Sequence, residues 1–195
     1  MQKPPVSMPD RIEWNGIDSN DVYLPVRVSG QFLHDKETLV QAMTRYGSGY
    51  WLLTPLETEN GSQVLINRGF VTPELKEPDK RQAGQIEGTV EVAGLLRLSE
   101  PQGRFLQSNK PMENRWYSRD VSAIGQAQGL GAETLAPFFI DANDAENPGG
   151  WPMGGLTVVK FRNTHLVYAL TWYSLAILTL IGGWIVFSKQ SDDFS

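Results

Sequence analysis

The residues with the most chemical potential gather where the polar part of this chain meets its apolar end. His165 stands at the head of a long apolar run, with Lys160 and Arg162 just before it and Tyr168, Trp172 and Tyr173 just after. At ~100° per residue, His165, Tyr168, Trp172, Ala176, Thr179 and Gly183 share one helical stripe. Ala169, Ala176 and Gly183 recur at a spacing of seven on or beside it, while Leu166, Val167, Leu170, Ile177, Leu178, Ile181 and Ile185 fall opposite. Small residues and a hydroxyl on one face suit a partner helix or a flat ligand. A neutral imidazole among aromatics at a membrane boundary can hold haem iron. The same imidazole can simply be an interfacial anchor in an aromatic belt.

Other constellations carry less. Asp141-Ala-Asn143-Asp-Ala-Glu-Asn147 starts like a Ca²⁺ loop but has no oxygen ligand at its fifth position and no Gly at its sixth, so it reads as an acidic turn. His34-Asp35 has the form of a base and its orienter, but no nucleophile accompanies it, and a solvated loop pair is the simpler reading. Asn67-Arg68-Gly69 closes an apolar run; Arg68 could take an anion or a partner, or mark a turn. There is no G-x-S-x-G, no H-E-x-x-H and no phosphate-loop lysine. These gaps argue against an enzyme.

The chain has 195 residues, 17 Lys and Arg, 22 Asp and Glu, two His and no Cys. Without cysteine there are no disulfides, thiolate metal sites or thiol nucleophiles. Residues 1–159 hold 14 cations and 20 anions, a net charge of −6. That balance excludes nucleic acid as the main partner, because phosphate-binding surfaces cluster Lys and Arg.

Two unlike parts follow. Leu166–Phe187 is 22 residues without a charge. As a helix it measures about 33 Å, enough for the ~30 Å core of a lipid bilayer. The rest predicts a β-rich α+β soluble domain followed by this one C-terminal transmembrane helix. The expected boundaries are a polar N-terminal segment 1–21, the β-rich domain 22–162, the transmembrane helix 163–188 and a short polar tail 189–195. Strands are predicted at Val22–Phe32, Tyr50–Leu56, Val64–Val71, Thr89–Leu98, Phe138–Asp141 and Leu156–Phe161. Asn60-Gly61 predicts a hairpin turn between the second and third. One helix is predicted from the cap Asp120 to Gln128, ahead of Gly129. Pro73–Gly84 reads as an exposed loop and Asp144–Gly155 as irregular.

The run Pro152-Met-Gly-Gly155-Leu-Thr157 with Phe161-Arg-Asn163-Thr-His165-Leu-Val-Tyr168-Ala-Leu-Thr171-Trp172-Tyr173 resembles the signature of the Surfeit locus protein 1 family. Val26-Arg-Val-Ser-Gly-Gln-Phe32, Gly49-Tyr-Trp-Leu-Leu-Thr-Pro55, Val64-Leu-Ile-Asn-Arg-Gly69 and Gln107–Asp120, with Asn109, Trp116, Tyr117 and Asp120, extend the likeness from Tyr23 to Phe187. The resemblance implies a haem-handling assembly factor for cytochrome c oxidase, set in the cell inner membrane with its soluble domain on the periplasmic side. It implies oxidase subunit I and the lipid bilayer as partners, and haem a as a transient cofactor, with the haem a synthesis machinery as a possible further partner. His165 becomes the expected axial ligand to haem iron, with Arg162, Tyr168 and Trp172 around the macrocycle. The alternative is a single-pass scaffold that docks an oxidase subunit and never touches haem. The family has two membrane helices flanking the domain, and only the second stands in this sequence, whose start is polar and holds three prolines. A first helix is therefore expected upstream of Met1, unless the protein is single-pass. The short loops and the start without basic transit character point to a bacterial member.

Overall fold

The computed structural model describes residues 4–101, 103, 107–157 and 165–192, and within the C-terminal helix the side chains of 169–182. The chain divides into two units, 1–157 and 158–195.

The first unit is built on a sheet of seven strands: β1 (Val6–Ser7), β2 (Pro25–Phe32), β3 (Thr38–Thr44), β4 (Gly47–Glu57), β5 (Gln63–Val71), β6 (Thr89–Leu98) and β7 (Leu135–Ala142), in the order β1-β2-β6-β7-β5-β4-β3. The far end of β2 also pairs with β4, Gln31 opposite Glu57 and Phe32 opposite Leu56. That pairing closes β2, β6, β7, β5 and β4 into a five-stranded barrel, with β1 and β3 attached outside the ring. Closure pairs both sides of the ring strands, and the sheet ends only at β1 and β3. Gly30 permits it: a Cβ there would lie 2.3 Å from the carbonyl oxygen of Glu57, closer than any side chain tolerates at such a barrel corner.

The alternation of apolar residues decides two cores. Val26, Val28, Leu56, Val64, Ile66, Leu96, Phe138 and Ile140 form one, with Met8, Trp14 and Ile17 of the N-terminal segment packed on it. Trp14 meets Phe138 edge-on, ring centres 6.4 Å apart. Val40, Leu53, Leu65, Trp116, Val121, Ile124 and Phe139 form the second. It lies beneath α1 (Val121–Ala127), whose cap Asp120 accepts a hydrogen bond from the Ala123 amide at 3.1 Å. β5 runs between β4 and β7 and contributes Leu65 to one core and Val64 and Ile66 to the other, so Val64–Val71 is buried without interruption. A strand buried on both faces reads as a continuous apolar run.

Several expectations are corrected. Thr38–Thr44, Thr-Leu-Val-Gln-Ala-Met-Thr, is a strand that polar Thr38, Gln41 and Thr44 hide in the sequence; it is held by antiparallel pairing to β4. β4 starts three residues before the expected Tyr50 and β7 three before Phe138. Asp141 is not in a turn: it is a buried residue of β7. Pro73–Gly84 is not simply exposed, since Arg81 and Gly84 are buried. For the expected strand Leu156–Phe161, Leu156 and Thr157 show no regular structure, and the remainder lies outside the described residues.

The second unit holds α2 (His165–Asp192), a helix of 28 residues. Side chains 169–182 are all exposed, among them Leu170, Trp172, Tyr173, Ile177, Leu178 and Leu180. The hydroxyls turn inward: Ser174 donates to the carbonyl of Leu170 at 2.8 Å, and Thr179 to that of Ala176 at 2.8 Å. Among the described residues no helix is long and apolar enough to cross a membrane; the 14 residues from 169 to 182 reach about 21 Å.

Candidate functional site

Two buried charge clusters sit at consecutive residues of β5. The pairing of β4 with β5 slips between Leu52 and Leu53: Asn67 faces Leu53, Gly69 faces Leu52, and Arg68 is the extra residue. A bulge of this kind bends a strand and re-aims a side chain. Gly69 makes it possible. Its φ is +129°, and a Cβ would fall 2.1 Å from the carbonyl oxygen of Met153, which accepts a hydrogen bond from the nearby Phe70 amide.

Asn67 serves the first cluster. Its amide donates to Asp141 Oδ1 at 2.7 Å. Arg97 reaches Asp141 Oδ2 at 2.8 Å, Arg119 reaches Oδ1 at 3.1 Å, and the Thr157 hydroxyl donates to Oδ2 at 2.8 Å. Arg119 also pairs with Glu100 at 2.5 Å. Burial works against the Arg119 charge, but Glu100 and Asp141 outweigh it and hold the pKa above its ordinary value. Burial likewise pushes Glu100 up, and Arg119 pulls it below the ordinary carboxylate range. Both guanidiniums lie over the Phe139 ring. Two cations face two anions here, and the cluster is balanced. Breaking such a pair leaves a buried charge, so its effect is structural.

Arg68 serves the second. Glu37 follows a short 3-10 turn, His34–Lys36, between β2 and β3. Its Oε2 accepts from Arg81 Nη1 at 2.7 Å, and its Oε1 lies 3.3 Å from His34 Nδ1 and 3.5 Å from Arg68 Nη1. Thr54 and Gln85 also donate to it. Burial raises the Glu37 pKa, but His34 and Arg81 pull it below the ordinary value. The opposite holds for Arg68. Burial brings it down to about 10, partly countered by Glu37 and assisted by Arg81. Arg68 Nη2 donates to the Gly84 carbonyl and, at 3.3 Å, to Asn147 Oδ1, while the guanidinium lies 4.6 Å over the Phe32 ring. Two guanidiniums thus share one carboxylate. His34, Glu37 and Arg81 open onto a cleft of about 760 Å³, flanked by Tyr50, Trp116 and Tyr117.

His34 bonds Glu37 and, through Nε2 at 2.9 Å, the Ile86 carbonyl rather than pairing with Asp35. Arg68 marks a bulge within β5 rather than a turn, and β5 runs to Val71 as expected. The resemblance stretch Gln107–Asp120 has structural work: Asn109 Oδ1 accepts from the amides of Tyr117 and Ser118 at 2.8 and 3.1 Å, Trp116 is buried, and Asp120 caps α1. His165 opens α2, and Tyr168 and Trp172 follow on it. Trp172 is 69% exposed. Arg162 and the side chains of His165 and Tyr168 lie outside what is described. Sequence reasoning missed Glu37 and Arg81, because nothing local marks a glutamate in a turn as the partner of arginines 31 and 44 residues away. Among the described residues no group of His, Asp and Glu side chains is placed to hold a metal ion.

The architecture is that of a small closed β-barrel with charged clusters on a bulged strand, joined to a C-terminal helix. A family model described as "SURF1 family" matches residues 1–177, a span that includes Arg162, His165, Tyr168 and Trp172. The chain is 39% identical over 193 residues to Surfeit locus protein 1 of Homo sapiens, covering 90% of this chain and 61% of that protein. It is 37% identical over 186 residues to the SURF1-like protein of Monosiga brevicollis, covering 89% and 69%. With Surfeit locus protein 1 of Mus musculus it shares 35% over 192 residues, 90% and 60%. This chain belongs to the SURF1 family, and it spans about three fifths of the length of its human and mouse relatives.

Proposed function

We propose that this chain is a membrane-anchored assembly factor for cytochrome c oxidase that carries haem a toward subunit I, and not an enzyme. The observation behind this reading is family membership across residues 1–177, a span that takes in His165 and the first part of α2. α2 anchors the chain in the inner membrane, and the barrel domain lies on its outer side. The exposed apolar side chains of 169–182 support the anchor, as do hydroxyls that spend their donors inside the helix, which the bilayer interior requires. The donor set suits haem. Imidazole is a common axial ligand, and a guanidinium pairs with a propionate carboxylate. His165 would hold the iron, Arg162 a propionate, and Tyr168 and the exposed indole of Trp172 the macrocycle faces. Haem a itself supplies a redox-active iron that the oxidase needs. The residues here bind and orient it.

The test is the absorption spectrum of the full chain purified in detergent from cells that make haem a. A stoichiometric Soret band is expected, abolished or strongly reduced by His165→Ala and weakened by Arg162→Ala, with Tyr168→Phe mild. Wild-type haem occupancy in His165→Ala overturns the ligand assignment. Topology is read with reporters: one after Ser195 is expected in the cytoplasm and one in the 73–84 segment outside. A chain that co-purifies with subunit I but carries no haem would be the docking scaffold instead.

A further inference from the structure

We propose that His34 is a pH-sensitive latch on the segment joining β5 to β6, closed when the imidazole is protonated and released when it is neutral. His34 Nε2 lies 2.9 Å from the Ile86 carbonyl oxygen, and Nδ1 lies 3.3 Å from Glu37 Oε1. Both partners only accept. The carbonyl carries no proton, and Glu37 stays ionised: burial raises its pKa, but His34 and Arg81 pull it below the ordinary value. A neutral imidazole has one N–H and one bare lone pair, so only the imidazolium donates to both. Deprotonation leaves a lone pair facing an acceptor on one side or the other.

Residues 72–88 run from β5 to β6 as a strap with two 3-10 segments, Pro73–Leu75 and Pro78–Gly84. Four contacts hold its second half. Arg81 Nη1 meets Glu37 Oε2 at 2.7 Å, Arg68 Nη2 donates to the Gly84 carbonyl, Gln85 donates to Glu37 Oε1 at 3.3 Å, and His34 reaches Ile86. The strap walls two spaces. Pro78 and Arg81 line the 760 Å³ cleft beside His34, and Ile86 lines a cavity of about 410 Å³ with Phe32 and Arg68. Of the four contacts, the imidazole's is the one whose charge changes near neutral pH. Guanidinium and amide donors keep their protons there, since burial brings Arg68 down only to about 10. Asp35, Lys36 and Glu37 stand on the turn of His34 itself, and Arg68 and Arg81 share Glu37. Lys76, Glu77, Glu113 and Arg115 line the cleft further round. An imidazolium is thus a third cation on one carboxylate: its two bonds favour the proton, and the neighbouring guanidiniums oppose it. The latch is therefore made at lower pH and lost as pH rises. It stands apart from His165 and does not depend on the haem reading.

The test uses the full chain in detergent, labelled with ¹⁵N-histidine and titrated from about pH 5.5 to about pH 8.5, across the imidazole range. Long-range ¹H–¹⁵N spectra should show both His34 ring nitrogens protonated at the acid end and one at the alkaline end, with His34 assigned by its absence in His34→Gln. Hydrogen exchange is read by mass spectrometry and corrected for the intrinsic pH dependence of amide exchange. It should accelerate about tenfold in peptides covering residues 80–88 as His34 loses its proton, the worth of one charge-assisted hydrogen bond. Peptides from β5 should hold their protection. In His34→Gln the step should vanish. Should that variant fail to fold, the wild-type strap and β5, compared along the His34 titration, decide the matter. Strap protection unchanged while His34 deprotonates, a His34 that keeps one protonation state throughout, a step shared equally by β5, or a step that survives in His34→Gln overturns the proposal.

Discussion

Glu37 and Arg81 meet at 2.7 Å, each with a side chain 6% exposed or less, although they stand 44 residues apart along the chain. The glutamate comes from a turn after β2 and the arginine from the 3-10 segment 78–84, and Arg68 of β5 lies on the same carboxylate at 3.5 Å. The contact ties two loops to the barrel.

Glu37→Gln should be among the most damaging single changes. It leaves Arg68 and Arg81 buried without their shared anion, a loss expected at about 3–5 kcal/mol. Urea unfolding followed by tryptophan fluorescence reads it. A cost below about 1 kcal/mol would mean that solvent already neutralises the pair.

Stability should fall on the acid side. The partners of Glu37 and Glu100 hold both carboxyls below the ordinary value of 4.5. The unfolded chain therefore takes up protons first. The stabilisation is complete above the unfolded pKa and is lost as pH falls through the folded values. Midpoints measured from pH 7 down to pH 3 should drop most steeply below about 4.5, and Glu37→Gln should flatten part of that slope.

The second cluster gives a graded contrast. Asp141→Asn strips Arg97 and Arg119 of a 2% exposed carboxylate and should cost about 3–5 kcal/mol. Arg115→Ala removes a half-exposed pair with Glu113 and should cost at most about 1 kcal/mol. Similar losses in denaturant titrations would contradict the burial difference.

Gly69→Ala and Gly61→Ala separate strain from collision. Both glycines have positive φ, +129° and +74°, but a Cβ at Gly61 meets open space while one at Gly69 strikes the Met153 backbone. Gly61→Ala should cost about 1 kcal/mol. Gly69→Ala should cost several times that, and protease cleavage near Met153 should accelerate.

The small-residue stripe of α2 can be tested in membranes. Under the proposed assembly role, Ala176→Leu should reduce co-purification with subunit I, because a bulky side chain keeps helix backbones apart. Ile177→Leu should do little. Equal effects in co-purification would remove the stripe's role.

Local rules made much of this protein legible in its sequence. Asp120 caps α1 as a side-chain acceptor must, because the first amides of a helix have no internal partners. Thr89–Leu98 is a strand with the predicted bounds, and Asn60-Gly61 turns β4 into β5, since glycine takes the +74° φ without penalty. The family likeness was also legible, because it rests on residue types in order. Tertiary structure alone decided the rest. Thr38–Thr44 is a strand because β4 pairs with it, not because of its own pattern. Barrel closure depends on the end of β2 reaching β4, a contact between segments some 25 residues apart. Asp141 looked like part of an acidic turn, yet the fold buries it between two arginines from distant segments. Arg68 stands out as a cation closing an apolar run, but Glu37 and Arg81 carry no local mark of the site they share with it. Charge pairing across the fold has no periodicity, and a one-residue slip in the pairing of β4 and β5 decided where Arg68 stands.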